Sequence, residues 1–336
     1  MSRCALTSLL AAILCTTPNP VLAWGGFGHR LIGVAAARAL PAEAPAVLRR
    51  SEFADDLGEL AREPDRSKDA GRLHDADRSP AHQIDIDDDG RVLGGPALAN
   101  LPPTRQEFET ALRAAGRDQW DAGFLPYAIV DETQQLAKDF AIWRVLRAAE
   151  RNPNWRRHHA WFVQDRRRRE ALISHTLASL AHFVGDGSQP LHVSIHYNGW
   201  GDYPNPKGYT QAKVHAPFEG AFVRDNVNLA MVNARMTPFR TPDGPLEAHV
   251  AAYLIETNRH LEPFYELEKV GGFQPHDPRG AEFAARRLAA GASELRDLIM
   301  LAWKMSAEQK VGWKPILVAD VLAGRVDPYD ALYGVD

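Results

Sequence analysis

The chain has 336 residues, 45% of them apolar, with a formal net charge of −4. That composition supplies a sizeable core. The mildly acidic balance argues against tight, non-specific binding of a polyanion, which ordinarily needs a basic surface. Beyond the first residues, no stretch approaches the length of apolar residues needed to span a bilayer.

Residues 1–23, MSRCALTSLLAAILCTTPNPVLA, read as a secretory signal peptide. Arg3 gives a positive start, Ala5 to Cys15 an apolar stretch, and Val21-Leu22-Ala23 a small-residue cleavage site. Cutting after Ala23 makes Trp24 the new N-terminus and offers its free amine as a possible metal ligand. Cys4 and Cys15 are the only cysteines, so the mature chain would carry neither a disulfide nor a thiolate ligand. Cys15 is not preceded by the small residue that lipid attachment favours. The expected product is a single domain, residues 24–336, secreted or periplasmic.

Helical periodicity dominates residues 24–336. Arg30 to Leu40, Leu125 to Ala149, Ala171 to Val184, Ala216 to Met236 and Ala281 to Met305 all read as helices, and alternating β patterns are nearly absent. This predicts an all-α, single-domain fold. Asp65 to Gly95, Val193 to Val214 and Met236 to Pro245 read as loops, long enough to suggest function. The run Arg166 to Arg169 reads as a solvated face at a helix start.

The chemistry lies in His and carboxylate spacing. His182 and Asp186 in HFVGDGSQPLH stand at i, i+4 and share a helix face. Pro190 ends that helix at Gln189, and His192 comes next on a turn. His215 and Glu219 form a second i, i+4 pair. His82 and Asp85 lie in PAHQID, and Asp65 and Lys68 precede them. His29 closes WGGFGH, five residues after Trp24. Singly, each pair is commonly a surface or capping pair, and Asp65 beside Arg66 and Lys68 can be a local ion pair. Their joint occurrence points to a metal centre, and nitrogen and carboxylate donors without thiolates suit catalytic zinc. His175, a heptad before His182, is either a supporting residue or a core histidine. The other histidines, His196 included, carry no signal.

These motifs resemble the zinc-dependent single-strand-specific nucleases (3′-nucleotidase/nucleases) and the bacterial zinc-dependent phospholipases C. The resemblance runs from Trp24 to about Asn226. It rests on the N-terminal Trp and on His-x3-Asp-x5-His followed by His-x3-Asp/Glu. It implies an α-helical domain around three zinc ions. One would be held by Asp65, His82, His182 and Asp186. A second would be held by His192, His215 and Glu219. The third would take the amine and carbonyl of Trp24, with His29 and a bridging Asp186. Lys68 falls where the nucleases bind phosphate, and Asp85 where they hold a nucleobase. WGGFGH looks like the nucleases, whereas Glu219 in place of Asp looks like the phospholipases.

The expected activity is phosphate ester hydrolysis, with Asp65 as general base and Lys68 neutralising the phosphate. The expected substrate is single-stranded DNA or RNA, or nucleotides. Phospholipid head groups are the alternative, and a non-catalytic zinc-stabilised binding protein is the rival from another class. Tyr197 and Trp200, in the Val193–Val214 loop, either stack on nucleobases or pack the loop on itself.

Overall fold

The computed structural model describes residues 24–334. The expected signal peptide and cleavage site lie outside them. The described chain is mostly helical. Its strands are two short segments, Lys310–Val311 and Ile316–Leu317, paired antiparallel. No described helix is long and apolar enough to cross a membrane.

Six helices frame the molecule: α1 (Gly25–Arg38), α2 (Ser51–Leu60), α3 (Leu125–Arg151), α4 (His159–Gly187), α5 (Leu246–Asn258) and α6 (Pro278–Met305). Helices α3, α4 and α6 pack on one another and α1 packs on α4 and α6, with α2 against α1 and α5 against α3. The apolar stripe Ile173, Leu177, Leu180 and Val184 of α4 is buried, as its helical spacing requires. The start of α6 is fixed by Asp277, whose side chain accepts from the Arg279 amide, and by Pro278 in the first turn.

Two expectations shift. Helix α4 begins at His159 rather than near Ala171, so Arg166 to Arg169 lie inside it. Arg166 reaches Glu150 and Glu170, and Arg169 reaches buried Asp139; half of the basic run therefore binds α4 to its neighbour instead of facing water. The Ala216–Met236 segment is not one helix. It passes through a π-helical turn, Pro217–Phe222, and breaks after Asn226. Asn228 then caps a new helix by accepting from the Met231 amide.

The segment after Asp65 is held against the bundle by backbone bonds. Phe124 and Leu125 amides donate to the carbonyls of Pro80 and Gln83. Gly123 has φ 75°, and a Cβ there would collide with the Gln83 carbonyl, so only glycine allows α3 to start this close. The Ile84 amide donates to the His192 carbonyl at 2.9 Å. This pairing places His82 beside the turn that carries His192.

Candidate metal centre

Eight of the predicted residues converge in three groups. In each group one nitrogen or oxygen per residue lies within 4.8 Å of the others: His29, His182 and Asp186; Asp65, His82 and His182; and His192, His215 and Glu219. Three such groups of donors can hold metal ions.

His182 and Asp186 come from the last two turns of α4, and His29 from the second turn of α1. Asp186 Oδ1 lies 3.3 Å from His29 Nε2, and Oδ2 lies 3.4 Å from His182 Nε2. The carboxylate therefore spans two imidazoles. It stands with His29 and His182, while Asp65 and His82 gather at the same His182 Nε2. Asp65 Oδ1 is 3.7 Å from His82 Nε2 and 3.8 Å from His182 Nε2. In the third group, His215 Nε2 lies 2.8 Å from Glu219 Oε2 and 3.0 Å from His192 Nε2. Glu219 sits on the π-helical turn, a local insertion that recurs at functional sites.

The imidazoles are oriented from behind. The Nδ1 atoms of His82, His182 and His192 face the carbonyls of Arg78, Ala61 and His82 at 2.8, 2.8 and 2.7 Å. A carbonyl only accepts, so Nδ1 carries the proton and Nε2 is left as a lone-pair donor toward the cluster. This is how metal-ligating histidines are held. Burial also keeps the His82, His182 and His215 rings neutral. It drives His82 and His182 well below the ordinary histidine range, and pushes His215 down to about 3. Burial lifts the Asp186 carboxyl well above its ordinary range and Glu219 to about 7. Neither oxygen of Asp186 or Glu219 receives a hydrogen bond. Buried acceptors facing neutral imidazole lone pairs are costly without a cation among them, so the donor set fits dications.

Trp24 is fully buried beside this cluster. Its indole Nε1 reaches the Gly185 carbonyl and Ser188 Oγ, each at 2.8 Å. Its ring lies 5.7 Å from that of Phe218, next to Glu219. Gly185 leaves room for His29, whose Nδ1 would stand 2.8 Å from a Cβ there. Lys68 Nζ pairs with Asp65 Oδ1 at 2.7 Å and is almost buried.

Asp85 is set apart from the three groups. Its amide donates to the Ala122 carbonyl, and burial, with Asp121 nearby, pushes its carboxyl up to about 8. The two aromatic candidates divide. Tyr197 is 45% exposed and offers a ring face. Trp200 is buried, stacked on His196 at 3.8 Å, with Nε1 donating to the Pro204 carbonyl. Its faces are filled, so of the two roles left open for Trp200 the geometry favours packing of the loop. His175 is exposed and lines a surface cavity with His82, Glu132 and Phe183.

His196 is the residue that sequence reasoning passed over. It is fully buried, with Nδ1 2.7 Å from the Trp200 carbonyl and Nε2 2.9 Å from Asp88 Oδ1. It fastens the Val193–Val214 loop to the Asp87–Gly94 turn. The aromatic and Gly-rich character of HYNGW is the one signal that could have found it.

Comparison of the chain with protein-family models, with curated proteins and with solved structures finds no match.

Proposed function

We propose that this chain is a secreted, zinc-dependent phosphodiesterase, acting as an endonuclease and 3′-nucleotidase on single-stranded nucleic acid. The observation that carries the reading is the trio of buried donor groups, two of them joined through His182, with imidazole Nε2 atoms turned inward and no thiolate. Neutral imidazoles and carboxylates in small groups suit zinc in catalytic rather than structural sites.

His29 and Asp186 would hold one ion, Asp65, His82, His182 and a bridging Asp186 another, and His192, His215 and Glu219 a third. The amine freed by cleavage before Trp24 would join the first of these. Bound dications supply Lewis acidity toward a phosphoryl oxygen and a lowered pKa for bound water. Asp65 accepts the proton that the attacking water loses. Lys68, already beside Asp65, offers positive charge to a phosphate oxygen. Tyr197 presents an exposed ring on which any unstacked base can lie.

Purified, zinc-loaded mature protein should be assayed side by side on single-stranded DNA, RNA and phosphatidylcholine. Nucleotide release without choline phosphate is the expected result. Choline phosphate without nucleotides would transfer the reading to phospholipase C. Full zinc with neither product would leave a zinc-stabilised binding protein.

A further inference from the structure

Arg287 lies on α6, at 6% exposure. Among the described residues its guanidinium meets no carboxylate. It donates from Nε to the Ser188 carbonyl at 3.0 Å, and from Nη2 to Thr257 Oγ1 of α5 at 3.1 Å. Burial pulls it below the ordinary arginine range. Glu256 acts on it only from beyond salt-bridge distance, and a buried cation without a contacting counter-ion is costly, so its placement calls for a compensating interaction. Ser188 is the residue that closes α4, where unpaired carbonyls and the negative end of the helix dipole accumulate.

The other groups around this helix end act in the same direction. Tyr253 Oη donates to the Val184 carbonyl at 2.8 Å. Ser188 Oγ and the Trp24 indole both donate to the Gly185 carbonyl at 2.8 Å. The last turn of α4 is thus gripped from Trp24, from α5 and from α6. Asp186 and His182 project from that same end, so an error in its register moves both donors relative to His29.

We propose that Arg287 is a positioning residue for the metal centre. Through the Ser188 carbonyl it holds the final turn of α4 so that Asp186 and His182 meet His29. This rests on the metal-binding reading of the cluster, and it concerns how the donors are held rather than which substrate they serve.

The test is zinc binding by the mature chain, measured by competition with a chelator and by metal stoichiometry. Arg287→Met keeps the bulk and removes the donors. It should weaken zinc binding roughly 10- to 100-fold, as loss of a supporting partner does. Arg287→Lys keeps charge but only one point of donation, and should recover part of that loss. Leu298→Ala, a fully buried α6 position, serves as the stability control: its melting temperature should drop while its zinc affinity stays at the wild-type value. Equal affinity in Arg287→Met and wild type would overturn the positioning role alone. So would equal affinity loss in Leu298→Ala, because that would reduce the effect to general destabilisation. Wild-type protein that takes up no zinc would overturn the metal reading and the positioning role together.

Discussion

His29 and His182 lie face to face, with ring centroids 3.9 Å apart and planes 15° from parallel, and Asp186 spans both Nε2 atoms. Two imidazoles this close cannot both be protonated in a buried site without strong repulsion. Burial holds the His182 ring neutral, and two stacked rings joined by one carboxylate form a donor set. Asp186→Asn keeps the shape and removes the charge that would offset the metals. Zinc content should fall and turnover should vanish together. Full zinc occupancy in this variant, read by elemental analysis, would contradict the bridging role.

Gly185 tests the same contact sterically. In Gly185→Ala, the new methyl would stand 2.8 Å from His29 Nδ1 and 3.3 Å from Ile32 Cδ1. Helix α4 tolerates alanine readily, so the cost comes from the clash, on the order of 1–3 kcal/mol of stability. Displacing His29 should also weaken zinc binding at its own group and spare the group of His192, His215 and Glu219. Calorimetric titration should then resolve one weakened class of site beside an unchanged one.

Asp85 gives a pH dependence whose sign comes from burial. Its folded-state carboxyl sits near 8, above the ordinary 3.8. The native state holds this proton longer than the unfolded chain. Stability is therefore greatest at low pH for this group and is lost between about pH 4 and 8, at up to about 1.4 kcal/mol per unit. Asp85→Asn removes the titration at nearly constant volume. Its melting temperature should exceed that of wild type at pH 9 and match it at pH 4, with zinc content unchanged. A variant less stable than wild type at pH 9 would show that the carboxylate is needed in its charged form.

Much of this arrangement is legible in the chain itself. Ile173, Leu177, Leu180 and Val184 mark α4, and the i, i+4 spacing of His182 with Asp186 and of His215 with Glu219 puts each pair on one face. Other features depend on contacts that no local pattern carries. The first turns of α4, His159 to Glu170, are crowded with charged residues whose partners Glu150 and Asp139 sit on α3, so no apolar period marks them. His196 finds Asp88 108 positions earlier. Trp200, between two glycines, carries no pattern that chooses between base stacking and loop packing, and the fold stacks it on His196. Arg287 looks like any arginine of an amphipathic helix until α4 is seen to end against it.

Processing offers a further check. With the chain cut before Trp24, the indole bonds to Gly185 and Ser188 would hold the new amine beside the cluster. Protein retaining even one residue before Trp24 should bind fewer zinc ions per chain and lose most of its activity. An uncleaved form with full zinc and full activity would exclude the amine as a ligand.

The aromatic residues of the Val193–Val214 loop separate substrate contact from packing. Tyr197 is 45% exposed, while Trp200 is buried between His196, Tyr209 and Tyr265. Tyr197→Ala should leave melting temperature and zinc content unchanged. It should raise KM for single-stranded DNA, since one base stack is worth roughly 1–3 kcal/mol, and leave KM for a simple mononucleotide phosphate ester much less affected. Trp200→Ala removes a packed ring and should cost about 3–5 kcal/mol of stability, loosening the loop that His196 fastens. Its kinetic defect should stem from that loosening and so appear on every substrate. Because stacking needs unpaired bases, Tyr197→Ala should also narrow the difference between single-stranded and duplex substrates. A Tyr197→Ala variant with unaltered KM on single strands would assign that ring to the loop surface and leave base recognition to other groups.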